Sequence, residues 1–127
     1  MILCPCDTRL AYVKCCGVLH AGAAATDARA LMRSRYCAYV LRLGGYLLET
    51  WHIRTRPERL EFDVTMRWLG LRICKFEAIG PDHARVEFLA RCRAGGGRAA
   101  RLHEISDFVQ EGGLWLYLKG SFPDGAT

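Results

Sequence analysis

Residues 84–93 read Ala-Arg-Val-Glu-Phe-Leu-Ala-Arg-Cys-Arg. Ala84, Val86, Phe88, Ala90 and Cys92 alternate with Arg85, Glu87, Leu89, Arg91 and Arg93. Successive side chains of a strand point to opposite faces, so this period of two marks a half-buried strand. Turn residues bound it, with Gly80-Pro81-Asp82 before and Gly95-Gly96-Gly97 after. Residues 64–79 read as two strands or one long bent strand, with Gly70 as a bulge. Residues 101–110 and 114–119 pair around the tight turn Gly112-Gly113. Turns this short join antiparallel neighbours.

Upstream the period lengthens to three or four. Ala28, Leu31/Met32, Tyr36, Tyr39/Val40 and Leu43 fall on one face of an amphipathic helix. Thr26 is the expected N-cap, with Asp27 placing a negative charge in the first turn. Gly44-Gly45 is the expected stop. A second helical piece spans residues 46–52, and Pro57 opens a short third one over 57–60. Helices followed by a meander of strands predict an α+β domain, with the helices packed on one face of a curved antiparallel sheet.

A chain of 127 residues, 51% hydrophobic and 24% charged, has the size and composition of one folded domain. It contains no repeat and no low-complexity tract. No apolar run approaches the roughly 20 residues that span a bilayer, so membrane insertion is not expected. Met1-Ile2-Leu3 runs directly into Cys4-Pro5-Cys6 without the basic and apolar segments of a secretory signal. The expected location is therefore cytoplasmic, where thiols stay reduced. The net charge of +5 is carried mainly by arginines, grouped at Arg33/Arg35, Arg54/Arg56/Arg59 and Arg91/Arg93/Arg98/Arg101. No block of consecutive basic residues occurs. This pattern is that of a solvated surface, with nucleic acid as the partner it would otherwise suit.

Four of the seven cysteines lie within thirteen residues, as Cys4-x-Cys6 and the adjacent pair Cys15-Cys16. In a reducing compartment such a cluster reads as a metal site. Tetrahedral zinc takes four ligands at about 2.0–2.3 Å, commonly from two short pairs separated by a loop. Pro5 stiffens the first pair. Four thiolates close the coordination shell, so the zinc would be structural, and His20 is the reserve ligand should Cys16 not bind. A Cys4–Cys6 disulfide is sterically poor, and the Cys-x-x-Cys of redox pairs is absent. Cys37, Cys74 and Cys92 sit on periodic apolar faces and read as small hydrophobes.

Cys-Pro-Cys, eight residues, then Cys-Cys resembles the SEC-C motif, the small zinc module also found at the C-terminus of the SecA translocation ATPase. That motif usually continues Gly-Ser-Gly, where this chain has Asp7-Thr8-Arg9. Residues 15–22 (CCGVLHAG), 30–52 (ALMRSRYCAYVLRLGGYLLETWH) and 103–120 (HEISDFVQEGGLWLYLKG) resemble the YchJ family of bacterial SEC-C proteins. The resemblance implies a zinc knuckle over residues 1–21 and a nuclear-transport-factor-two-like domain over 22–127. In such a domain three N-terminal helices pack against a strongly curved antiparallel sheet, forming a cone. The family's cellular role is undefined.

A cone can hold a small molecule against its sheet. The candidate lining residues are Arg35, Trp51, Trp68, Phe88, His103, Glu104, Phe108, Trp115 and Tyr117. His103 and Glu104 are neighbours on a strand and should point to opposite faces, which makes them a poor acid–base dyad. Glu104 shares its face with Leu102, Ser106 and Phe108. It is an edge residue, the partner of a buried arginine (Arg35 or Arg33), or a tuned acid. His52 and His83 read as surface or loop residues. No phosphate loop, Ser/His/Asp signature or His-x-x-x-His pair is present, so no catalytic residue is assigned. The expected protein is a structural-zinc adaptor with a protein partner. A small-molecule carrier or enzyme using the cone is the alternative, and RNA binding the third reading. A hollow cone with convergent polar groups would favour the carrier or enzyme, and a cone filled by its own side chains the adaptor.

Overall fold

The strand read at residues 84–93 sits second in a four-stranded antiparallel meander. A computed structural model describes residues 2–123, which leaves the extreme ends of the two expected segments, Met1 and 124–127, outside the described residues. The strands are β1 (Arg67–Gly80), β2 (His83–Arg93), β3 (Ala100–Glu111) and β4 (Leu114–Ser121), hydrogen-bonded in that order. Ala84, Val86, Phe88 and Ala90 are buried, as the alternation requires, while Arg91 and Arg93 are exposed. β1 is one long strand with register shifts between Trp68 and Gly70, Ile73 and Lys75, and Ala78 and Gly80. Each shift adds local twist, which lets one strand follow a curved sheet.

Three α-helices precede the sheet: α1 (Cys16–His20), α2 (Ala28–Leu41) and α3 (Gly44–Glu49). α2 lies across the inner face of the sheet and meets β1, β2 and β4. Leu31, Met32, Tyr36 and Cys37 of α2 join Val86, Phe88, Ala90 and Phe108 of the sheet in one core, which also contains Cys4, Cys6 and Cys16. The two expected segments therefore share a core, although the exposed run 21–24 connects them.

Several local expectations are corrected. Asp27, not Thr26, caps α2: its Oδ1 accepts from Ala30 N at 2.7 Å. The stop of α2 is Arg42, left-handed at φ 59°, with Leu43 N donating back to Ala38 O at 2.8 Å. This six-to-one bond is the Schellman closure. Gly44-Gly45 accordingly begin α3 instead of ending α2. No helix forms over 57–60, because a single turn without a buried face does not repay its nucleation. The first strand begins at Arg67, since Asp63 Oδ1 accepts from both Thr65 N (2.8 Å) and Thr65 Oγ1 (2.6 Å) and holds a turn there. Cys74 is exposed because the shift between Ile73 and Lys75 breaks the alternation. His52 is buried, with Nε2 bonded to Glu111 Oε2 at 2.7 Å. It is pinned because the segment after α3 runs along β4, where His52 N donates to Tyr117 O and Tyr117 N to Thr50 O, both at 2.8 Å.

Candidate metal centre and the adjoining cavity

A small hairpin builds the sulfur cluster. Cys4 N donates to Leu10 O (2.8 Å) and Tyr12 N to Ile2 O (2.9 Å), closing the loop that carries Cys4 and Cys6. Asp7 and Arg9 within it are left-handed, at φ 67° and 66°. A 3-10 turn over Tyr12–Lys14 then leads through an irregular Cys15 into α1. The turn and α1 approach closely: a Cβ on Gly17 would lie 2.6 Å from Tyr12 O, a backbone atom that cannot step aside. Glycine must therefore follow the Cys-Cys pair.

The Sγ atoms of Cys4, Cys6, Cys15 and Cys16 all lie within 4.8 Å of one another, and none is in a disulfide. Cys6 and Cys15 are 3.6 Å apart. Four sulfurs about 2.3 Å from one tetrahedral ion stand about 3.8 Å from each other, so the cluster has the size such an ion needs. Three of these cysteines are buried and Cys15 is partly so. The cluster can hold a metal ion with its coordination shell closed by protein.

Electrostatics point the same way. Hydrogen bonds from Cys16 and Cys37 hold Cys6 far below the ordinary thiol value. Those with Cys37 and Cys6, together with burial, push Cys16 far above it. Burial raises Cys15. Without a cation, S–H protons must lie between these crowded sulfurs. A soft divalent ion would replace those protons.

Cys37 is the neighbour that spacing alone did not reveal. It is fully buried on α2, with Sγ 3.4 Å from Cys4 Sγ. Its position on the apolar face of α2 was legible, but its place against a cluster more than twenty residues upstream was not. His20 is engaged elsewhere. Its Nδ1 is 2.6 Å from Tyr12 OH and its Nε2 is 2.8 Å from Ser34 O, so one nitrogen ties α1 to the turn before it and the other ties α1 to α2. Arg33 donates to Cys6 O at 2.9 Å, and Asp7 Oδ2 accepts from Leu71 N at 3.2 Å. Three hydrogen bonds thus join the hairpin and α1 to α2 and β1.

Arg9 is exposed and spends its backbone in a region that costs a non-glycine residue about 1–2 kcal/mol. Arg9→Gly is expected to stabilise the metal-loaded chain by about 0.5–1 kcal/mol, after allowing for the greater freedom of glycine when unfolded. A urea titration should show a higher midpoint with an unchanged slope. A lowered midpoint would show that the Arg9 side chain supports the loop.

Between α2 and the sheet lies a second feature, a cavity of about 230 Å³. Of the expected lining residues, Arg35, Trp51, Trp68, Phe88, Glu104 and Tyr117 border it. Phe108 is wholly buried beneath Tyr117, at a ring separation of 5.7 Å. Trp115 instead borders a separate pocket near α1 and α3, with His20 and Tyr46. His103 is on the opposite face of the sheet, 2.7 Å from Glu87 Oε2. Tyr36 and Tyr39 of α2, which sequence reasoning placed only in the core face, also line the cavity.

Two charged side chains meet this space. Arg35 is 4% exposed; its NH1 donates to Leu47 O (2.8 Å) and Thr50 Oγ1 (2.7 Å). Its guanidinium lies over Trp51 at 5.0 Å and Tyr117 at 4.6 Å. Burial lowers its proton affinity from the ordinary arginine value. Glu104, 9% exposed, receives Ser106 Oγ at 2.8 Å and Tyr117 OH at 2.9 Å, both on Oε2. Burial, and then the charge of Glu104, push the Tyr117 phenol well above its usual range. A Cβ at Gly120 would fall on the Glu104 carboxylate, so this position must be glycine for the carboxylate to sit where it does. Glu104 is thus a buried carboxylate facing the cavity, and no salt bridge within 4.0 Å joins it to Arg35 or Arg33.

The model of the YchJ middle NTF2-like domain matches residues 27–120. A UPF0225 protein of Xanthomonas campestris is 54% identical over 91% of this chain and 91% of its own length. One of Bordetella pertussis is 51% identical over 92% of this chain and 90% of its own. The solution structure of a SEC-C motif containing protein from Rhodopseudomonas palustris superposes with a TM-score of 0.83 at 34% identity, covering 95% of this chain and 98% of that one. A crystal structure of a SEC-C motif containing protein from Psychrobacter arcticus gives 0.77 at 26% identity, covering 100% and 86%.

Proposed function

This chain belongs to the YchJ family (UPF0225), whose solved neighbours are SEC-C motif proteins, and on that premise we propose that it is a zinc-stapled binding protein. One structural zinc ion is held by Cys4, Cys6, Cys15 and Cys16, and the cone beyond α2 receives a small molecule. All four ligands come from protein, so zinc has a folding role and no open position for chemistry. The binding role falls to the cavity. The observation that carries it is that the cone is hollow and bordered by a buried arginine and a buried carboxylate that do not pair with each other. A filled cone would have favoured a purely adaptor role.

A second reading, docking of a protein partner on the hairpin, is supported by exposed apolar side chains there: Ile2 (80%), Leu3 (57%), Leu10 (54%) and Val13 (73%). Large apolar residues grouped on a surface mark interaction sites. RNA binding draws less support, since it called for Arg54–Arg59 beside Arg91–Arg101, and Arg56 instead folds back on Trp51 O at 3.0 Å. The reducing cytoplasm fits free thiolates, and no helix among the described residues is long and apolar enough to cross a membrane.

A native mass spectrum of the protein purified under reducing conditions tests the proposal. One zinc per chain and a co-purified small adduct are the expected result. A protein free of zinc with oxidised cysteines would overturn the staple. Zinc alone, with a protein companion retained, would move the role to the hairpin.

A further inference from the structure

The cavity carries an unusual charge pattern. Arginine has five N–H donors. Two of those on Arg35 are used by Leu47 O and Thr50 Oγ1, and both belong to NH1. Among the described residues, Nε and NH2 have no acceptor. Glu104 receives both of its hydrogen bonds on Oε2, leaving Oε1 without a donor. None of these atoms is sealed from a small probe: among the described residues, the buried side-chain nitrogen or oxygen without a partner is Trp51 Nε1. The free donors of a cation and the free acceptor of an anion therefore open into one space.

The remainder of the wall is apolar or aromatic, with Trp51, Trp68, Phe88 and Leu102 prominent. Tyr36, Tyr39 and Tyr117 contribute rings whose phenols burial keeps protonated at neutral pH. The wall then carries one positive and one negative charge, a net of zero. A guest with net charge would leave this largely apolar space charged, which is costly away from water. An uncharged guest would leave both groups without a charged partner, although each is already desolvated. A guest bearing a carboxylate and an ammonium satisfies both and keeps the balance. Its body must be apolar to suit the rings, and small, because about 230 Å³ lies below the roughly 300–1,000 Å³ of sites for drug-sized ligands.

We propose that this cavity binds a small zwitterion with an apolar body, of the apolar α-amino acid class, its carboxylate on Arg35 and its ammonium on Glu104. This rests on the reading of the cone as a small-molecule site and names the chemistry of its guest.

Three probes sharing one ring separate the charge requirements: L-phenylalanine, phenylacetate and phenethylamine. Each is titrated into zinc-loaded full-length protein with ¹⁵N-labelled tryptophan. Trp51 and Trp68 line the cavity while Trp115 does not, so the third indole is an internal control. L-phenylalanine is expected to shift the Trp51 and Trp68 indole signals and leave Trp115 in place, with both single-charge analogues at least about tenfold weaker. Glu104→Gln keeps the shape and an acceptor for Ser106 and Tyr117, and should weaken L-phenylalanine about tenfold or more while closing its margin over phenylacetate. Equal binding of all three probes, or tighter binding of a single-charge analogue, would overturn the zwitterion assignment while leaving a small-molecule site. No shift from any probe would overturn the assignment too, and the native-spectrum adduct then decides separately whether the cone is a ligand site at all. An unchanged affinity in Glu104→Gln would remove Glu104 from the site.

Discussion

Replacing Cys15 by serine is expected to abolish stoichiometric zinc binding and to destabilise the whole chain, not only its first twenty residues. The size of the effect follows from two magnitudes. Structural zinc contributes apparent free energies of about 10–16 kcal/mol in small zinc-finger peptides at neutral pH. A domain of this size is stable by only about 5–15 kcal/mol in total. Losing one of four thiolates forfeits enough of the first to consume most of the second. The loss spreads because the hairpin and α1 are tied to the rest: Arg33 to Cys6 O, Asp7 to Leu71 N, and His20 to Ser34 O. Cys4, Cys6 and Cys16 are also core residues beside Leu31, Met32 and Tyr36. Metal analysis should fall from one equivalent to none, and the urea midpoint should drop by an amount equivalent to several kcal/mol. Cys37 makes the experiment sharper. Its Sγ stands 3.4 Å from Cys4, close enough to replace a missing ligand. Cys37→Ser alone should keep zinc. If Cys15→Ser also keeps zinc, and only Cys15→Ser/Cys37→Ser loses it, then Cys37 stands in as a ligand and the four-cysteine assignment is too narrow.

The legible parts of this protein are those set by short-range periodicity. The strand at 84–93, the apolar stripe of α2 and the turn at Gly112-Gly113 follow from side-chain spacing, and spacing was on view. The cysteine pairs were legible because a metal site needs clustered thiols, and the intervening loop is short enough to bring them together. What escaped were contacts closed by tertiary packing. Nothing local places Cys37 beside Cys4, or buries His52 under β4. Gly17 and Gly120 look like ordinary glycines in sequence. Each is required only because a distant group, Tyr12 O or the Glu104 carboxylate, occupies the space of a side chain. Asp7 and Arg9 are instructive in the other direction. They stand where the SEC-C motif usually has glycine, and both are left-handed, so the motif's glycines reflect a backbone requirement that this chain meets at some cost. Helix ends follow a related rule: Gly44-Gly45 suggest a stop, but the residue that turns left-handed is Arg42, whose NH2 donates to Val64 O at 3.0 Å.

Arg35→Met is expected to cost about 3 kcal/mol, an unusual price for removing a buried charge in favour of an apolar side chain of similar length. Buried ions are often replaced by hydrophobes without loss, because their desolvation offsets their attraction. Arg35 does bear that burden, as its lowered proton affinity indicates. Three things oppose an easy exchange. Leu47 O and Thr50 Oγ1 at the end of α3 would lose their charged donor, and hydrogen bonds to charged groups contribute about 1.5–3 kcal/mol each. The stacking on Trp51 and Tyr117 would lose its cationic component, on the order of 1–2 kcal/mol. Glu104 would become the one full charge lining the cavity. The apolar burial gained by methionine offsets part of this sum. The third term can be isolated. If the two charges balance each other across the cavity, Glu104→Gln should cost less in the Arg35→Met background than in the native protein, with a coupling of about 1–3 kcal/mol. Urea midpoints of the four proteins measure it. Strict additivity would mean that the two groups do not sense one another, and a balanced cavity would then be the wrong description of the cone. A measurable coupling would establish that the cavity is electrostatically prepared, with the cation and the anion that border it each stabilising the other without a direct hydrogen bond between them.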